Sequence, residues 1–202
     1  MNYKTEQEEF WATQFGDDYI NRNQDYISNI PFFSEVISNT SNIASVIEFG
    51  CNIGLNLKAL NTLLPKCSLT GVEINKNACQ FLHEWGRCNV VNESIFDYNE
   101  KQKYDLSMVK GVLIHINPEM LNNVYKKLYD SSNKYILIAE YYNPTPVSMS
   151  YRGHNDRLFK RDFAGEMLDK YLDLKLVDYG FLYHRDNYFQ QDDISWFLLE
   201  KS

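Results

Sequence analysis

Five short apolar runs alternate along the chain with longer segments whose apolar residues recur at helical spacing, and no other feature limits the possible folds as tightly. The runs are SVIEF (45–49), SLTGVEI (68–74), CNVV (88–91), YDLSMV (104–109) and YILIAEY (135–141). Between them lie GLNLKALNTLL (54–64), NKNACQFLHEWG (75–86) and PEMLNNVYKKLYD (118–130). Runs of this length without polar alternation suit strands buried on both faces, and the helical segments between them make βαβ units of a mostly parallel sheet. Asn75 and Asn117 stand where N-caps belong, Pro118 occupies a first helical position, and Gly86 closes the second helix.

After Tyr141 the pattern changes. The stretch YYNPTPVSMSYRGHNDRLF (141–159) carries two prolines and reads as a long irregular insertion, a loop length usually tied to function. A helix (KRDFAGEMLDKY, 160–171) and two strands (LKLVDYGFLYHR, 174–185; DISWFLLEK, 193–201) follow, joined by a polar turn around 187–191. Such a hairpin adds antiparallel strands to the sheet. A chain of 202 residues without repeat or linker is expected to form one domain.

Several function classes are set aside. A net charge of -7 argues against a sequence-independent grip on nucleic acid. No apolar run approaches the ~20 residues of a membrane span, and the acidic start lacks signal-peptide features, so a cytoplasmic location is expected. Cys51, Cys67, Cys79 and Cys88 form no CxxC pair, and no ligand spacing surrounds His83, His115, His154 or His184, so no metal is expected and the thiols should be reduced. Charge is uneven: Arg152–Arg161 holds four cations against one Asp, which would draw a small anionic molecule.

The stretch VIEFGCNIGLNL (46–57) is a strand, a glycine-punctuated turn and a helix start, an arrangement that offers backbone N–H groups to a nucleotide-type ligand. Nicotinamide enzymes need G-x-G-x-x-G/A, because the pyrophosphate approaches the backbone closely. Asn52 and Leu55 stand at the second and third glycine positions, so that pattern fails. The looser E/D-x-G-x-G-x-G turn used for S-adenosylmethionine (SAM) matches at Glu48, Gly50 and Gly54 and departs at Asn52. Glu73 ends the next strand 23 residues past Gly50, where an acid would hold ribose hydroxyls. SAM is the better fit, against glycines that merely permit tight strand–helix packing. A nicotinamide-dependent sugar oxidoreductase would also need a Tyr-x-x-x-Lys pair, for which YNEKQK (98–103) gives no matching context.

The stretch YDLSMVKGVLIHINPEML (104–121) resembles the fourth-strand region of class I methyltransferases. More narrowly, FWATQFGDDYINRN, VIEFGCNIGLNLKAL, GVEIN, KGVLIHINP, YILIAEYYNPTPV, YRGHNDRLFKRDFAGEMLD and DDISWFLLEK together resemble the pseudaminic acid biosynthesis-associated methylases, from about Thr5 to Lys201. Asparagine at position 52 suits that family's variant of the turn. The resemblance implies an α/β, Rossmann-like class I methyltransferase fold: a mostly parallel seven-stranded sheet with a closing antiparallel hairpin, an N-terminal helical lid within 1–40 and an acceptor-side insertion at 141–161. It also implies methyl transfer from SAM, leaving S-adenosylhomocysteine (SAH), to an O or N nucleophile of a nonulosonic acid or related bacterial glycan precursor, free or nucleotide-linked.

On this reading the cofactor meets Glu48, Gly50, Cys51, Asn52, Gly54, Asn56 and Leu57 from the turn, Glu73 and Ile74 from the second strand, and Lys110 and Gly111 from the fourth. Ser94 and Ile95 lie nearest adenine, a placement that rests on the resemblance alone. Tyr19, Arg22 and Asn23 of the lid are candidates for the methionine carboxylate or the acceptor. His115, Glu140 and His154 are candidate bases; their plainer readings are a packing histidine, a strand-end acid and an exposed loop residue. Arg152 and Arg157 are candidates for an acceptor carboxylate or phosphate, whereas Arg161 is better explained by a salt bridge. Tyr141, Tyr142 and Tyr151 would pack on a sugar ring, or fill core. Monomer and homodimer both stay open.

Overall fold

The computed structural model describes residues 3–22, 25–99, 101–151 and 153–202; at 21, 22 and 154–157 the description is of backbone only. Two short helices, α1 (Glu6–Ala12) and α2 (Gln14–Arg22), precede α3 (Ile30–Ser38). The alternating body runs β1 (Ser45–Phe49), α4 (Leu55–Leu63), β2 (Ser68–Val72), α5 (Lys76–Trp85), β3 (Asn89–Val91), β4 (Tyr104–Lys110), α6 (Leu121–Ser131) and β5 (Ser132–Glu140). Then come β6 (Val147–Tyr151), β7 (His154–Lys160), α7 (Phe163–Lys170), β8 (Leu174–Leu182) and β9 (Ile194–Lys201).

One sheet of seven strands has the order β3-β2-β1-β4-β5-β9-β8. Strands β1 to β5 are mutually parallel, and β9 enters antiparallel to both β5 and β8. Alternate side chains of each strand feed two cores. In β5, Tyr135, Leu137 and Ala139 pack with Phe33 of α3, Leu60 of α4 and Leu82 of α5, while Ile136 and Ile138 pack with Leu128 of α6 and Met167 of α7. Each of the Leu, Ile, Phe and Met side chains among these, fully removed from water, contributes about 1.5–3 kcal/mol.

Local signals set the helix ends. Asn75 Oδ1 accepts the Ala78 N–H at 2.9 Å, and Asp162 Oδ1 accepts that of Gly165 at 2.8 Å. The second cap starts α7 at Phe163, three residues later than its periodicity suggests. Asn117 caps a 3-10 turn, Pro118–Met120, that leads into α6.

Two expectations change. The 141–161 insertion is not irregular throughout: β6 and β7 pair antiparallel, with Val147 opposite Lys160 and Tyr151 opposite His154. The helical cover within 1–40 is also shorter than expected, because α3 belongs to the core, where Phe32, Phe33 and Val36 are buried. Residues of α1 and α2 line the cavity at the carboxyl ends of the strands, and no residue of α3 does so among the described residues. Thr5 and Glu8 form a capping box that starts α1, and Asn75 Nδ2 donates to Asp17 Oδ1 at 2.9 Å, which ties α2 to the end of β2.

Candidate active site

A cavity of about 540 Å³ opens at the carboxyl ends of β1, β2 and β4, in the size range of small-molecule sites. Its floor is the turn after β1. Gly50 and Cys51 donate their N–H groups to the Val72 carbonyl at 2.8 and 3.2 Å, which folds the turn over the end of β2. Gly50 has φ +70°, and a Cβ there would lie 2.7 Å from Val112 Cγ2, so both conformation and space require glycine. Asn52 holds φ +47°, a left-handed conformation that asparagine tolerates, and its Oδ1 accepts the Ile53 N–H at 2.7 Å. The departure from glycine is thus accommodated by the side chain itself.

Glu73 locks this turn to β2. One carboxylate oxygen accepts the Asn52 N–H and the other the Asn75 N–H, both at 2.7 Å. Burial pushes its carboxyl above the usual range, and those amides oppose the shift. Behind the turn, Glu48 Oε1 accepts from Asn56 Nδ2 at 2.6 Å, while Glu48 Oε2 and Asn56 Oδ1 are buried without a hydrogen-bond partner. Burial raises Glu48 to about 8, opposed by Asn56 and then by the charge of Lys110. Burial pulls the Lys110 ammonium down, opposed by Glu48, Asp192 and Glu140.

The roof is aromatic. Trp11 of α1 lies 4.7 Å from the His115 ring and 5.4 Å from Tyr19 of α2, and Tyr151 of the hairpin lies 4.9 Å from His115 on centroid distances. Tertiary packing therefore brings the N-terminal helices and the inserted hairpin onto one buried histidine. Glu8 accepts from Ser94 Oγ, joining α1 to the segment after β3.

Of the residues read from sequence, Tyr19, Gly50, Cys51, Asn52, Asn56, Glu73, Ile74, Ser94, Ile95, Lys110, Gly111 and His115 line the cavity. Others do not. Gly54 is buried where a Cβ would meet Leu82 Cδ2 at 2.3 Å, and Leu57 belongs to the core. Glu140 turns away from the cavity: Oε1 accepts the Val112 and Leu113 N–H groups at 2.8 Å, and Oε2 that of Ile114 at 3.5 Å, which fixes the short turn carrying His115. Tyr141 packs against the core with Lys160 Nζ 5.0 Å from its ring centroid, and Tyr142 packs on Phe197 with ring centroids 6.0 Å apart. Arg161 pairs with Glu166 at 2.5 Å. Asn23 and Arg152 lie outside the described residues, as do the side chains of Arg22, His154 and Arg157.

Sequence reasoning missed two segments. Asp25, Ser28 and Asn29, before α3, and Gln190, Gln191 and Asp192, before β9, close one end of the cavity, with Gln191 Nε2 donating to the Ser28 carbonyl at 3.1 Å. Both are polar connections in sequence, and only the tertiary fold makes them walls. Among the described residues no group of His, Cys, Asp and Glu is arranged to hold a metal ion.

This strand order, with its antiparallel end and its cavity at the strand ends, is the Rossmann-like fold of class I methyltransferases. A SAM-dependent methyltransferase from Leishmania major superposes with TM-score 0.73 at 14% identity, over 96% of this chain and 81% of that one. The 1,6-didemethyltoxoflavin-N1-methyltransferase of Burkholderia thailandensis, solved with 1,6-didemethyltoxoflavin and SAH bound, gives 0.71 at 12%, over 97% and 87%. The magnesium protoporphyrin IX methyltransferase of Synechocystis PCC 6803 with bound SAM gives 0.68 at 12%, over 100% of both chains. No family model matches the chain, and no curated protein matches its sequence at a significant level. At these identities the likeness is one of fold.

Proposed function

We propose that the chain is a SAM-dependent methyltransferase acting in the bacterial cytoplasm on an O or N nucleophile of a small anionic acceptor. That acceptor is a nonulosonic acid of the pseudaminic or legionaminic type, or a related sugar precursor, free or nucleotide-linked. The observation that carries the donor half is the convergence of the Gly50–Asn52 turn, Glu73, Ser94 and Gly111 on one cavity roofed by Trp11 and Tyr19. The residues fit such a ligand: a glycine where a Cβ would clash, a buried carboxylate on the cavity wall, and a buried Asn56 Oδ1 with no protein partner.

Bound SAM supplies an electrophilic methyl group on a sulfonium sulfur. The chain's part is alignment and the exclusion of water. Glu73 and Ser94 would hold hydroxyl and ring-edge groups, Ile95 and Val72 give an apolar wall, and α1 and α2 cover the site. His115 lines the cavity between Trp11 and Tyr151, where a ring nitrogen can take the proton that an acceptor hydroxyl or ammonium must lose.

The acceptor half rests on the sequence resemblance and on the cations of 152–161. One observation favours a second reading, an acceptor without net negative charge. Among the described residues Lys110 is the only Lys or Arg lining the cavity, whereas Glu8, Asp25, Glu73 and Asp192 all line it.

Calorimetric titration with SAH, with NAD as control, tests the donor. Saturable binding of SAH alone is expected, and binding of NAD instead would overturn the reading. A transfer assay over nonulosonic acids, their nucleotide-linked forms and neutral amino sugars then tests the acceptor. Turnover confined to the neutral amino sugars would replace the acidic acceptor and leave the donor standing. Arg152→Ala is expected to raise the acceptor KM with SAH affinity unchanged.

A further inference from the structure

The two edges of the sheet are unlike. At one, β3 has three residues; at the other, β8 has nine, and among the described residues it pairs only with β9. A long free edge offers a row of unpaired N–H and C=O groups, which folded proteins usually blunt with charge, proline or brevity. Strand β8 carries Lys175, Asp178 and a bulge at Val177, yet it is long and most of its apolar side chains are open. Tyr179 and Phe181 are 66% and 58% exposed, Leu176 and Val177 are exposed as well, and Leu172, just before the strand, is 91% exposed. The Tyr179 ring stacks 6.4 Å from Phe197, which in turn meets Tyr142, so these groups form one apolar surface beside α7.

The register on β9 sorts the strand into faces. Leu176, Tyr179 and Phe181 stand opposite Leu199, Phe197 and Ser195, while Lys175 and Asp178 stand opposite Glu200 and Leu198 on the other face. We propose that β8 is a homodimer interface, in which two copies pair antiparallel through this edge about a two-fold axis and join their sheets into one. With the axis between Leu176 and Val177, Lys175 faces Asp178 of the partner subunit and Leu174 faces Tyr179 of the partner subunit, each pair occurring twice. The charge pattern names the occupant: β8 carries one cation and one anion, symmetric about an apolar centre, and so complements its own reverse, the Asp178 carboxylate also accepting from Asn39 Nδ2 at 2.7 Å and from the Tyr179 N–H at 2.9 Å within its own chain. Such isologous pairing closes and leaves neither copy's β8 edge free. The bulge at Val177 adds local twist without removing the free edge.

Sedimentation equilibrium of the full chain from micromolar concentrations to on the order of 1 mM tests this. A dimer is expected. Phe181→Asp and Tyr179→Lys should each weaken it at least about tenfold. Lys175→Asp should weaken it too, and Lys175→Arg should not. Unchanged far-ultraviolet dichroism and SAH affinity would show that these variants are folded. If Phe181→Asp fails to fold, Tyr179→Lys decides. A monomer at every concentration, or a dimer indifferent to both aromatic substitutions, overturns the proposal; equal effects of Lys175→Asp and Lys175→Arg overturn the charge pairing.

Discussion

Glu73 and Glu140 occupy matching places at the carboxyl ends of parallel strands and do different work. Both are buried, and both carboxylates accept backbone N–H groups. The amides on Glu73 come from the turn after β1 and from the start of α5, so that this carboxylate is part of the cavity wall. Those on Glu140 come from Val112 to Ile114, and the side chain lies outside the cavity. What separates an acid on the cavity wall from one outside it is therefore the segment whose amides it collects, which strand position does not reveal.

The difference is broken most directly at Glu140. Glu140→Ala leaves three amides at a buried site without their acceptor, and each such group costs about 1–3 kcal/mol. A loss of about 3–5 kcal/mol is expected in urea unfolding, with SAH affinity of the folded protein changing far less. Glu73→Ala should add a loss of binding to a loss of stability. SAH affinity should fall on the order of 10–100-fold, the worth of one or two hydrogen bonds to a charged group, with a stability loss of about 2–4 kcal/mol because two amides lose their acceptor. An affinity loss at Glu140 that matches the loss at Glu73 would erase the distinction.

The parallel half was legible because its strands are buried on both faces, and short apolar runs such as SVIEF and YILIAEY announce that burial. The hairpin was not. Residues 147–150 of β6 are all exposed, so VSMS shows neither an apolar run nor alternation, and the prolines before it read as loop. The site divides in the same way. The turn and Glu73 were legible as cavity wall because a tight strand–turn–helix connection demands particular residues at fixed spacing. Asp25, Gln191 and Asp192 become walls only when β9 docks on β5 and α3 packs beneath them, and no local pattern encodes that meeting. Thr5 and Glu8 lie between these cases: T-x-x-E reads as a helix start, and the Glu8–Ser94 bond that makes it part of the site is purely tertiary.

The smallest effect expected is a slope with pH, and it sharpens the comparison by adding Glu48. Burial raises Glu140 from 4.5 to about 7 and Glu48 from 4.5 to about 8. Between 4.5 and those values the folded chain keeps protons that the unfolded chain has released. Stability must then fall as pH rises, by at most about 1.4 kcal/mol per pH unit for each carboxyl, and level off above the folded value. Glutamine cannot ionise and resembles the neutral acid in shape, so each variant removes one contribution to the slope. Glu140→Gln should flatten the dependence from about 4.5 to 7, whereas between 7 and 8 only Glu48→Gln should have an effect. Urea unfolding at half-unit steps from pH 5 to 8.5 resolves the two windows. Wild-type stability that stays level or rises over that range would mean that both carboxyls ionise near their ordinary values, and that water or a charge reaches each of them in the folded chain.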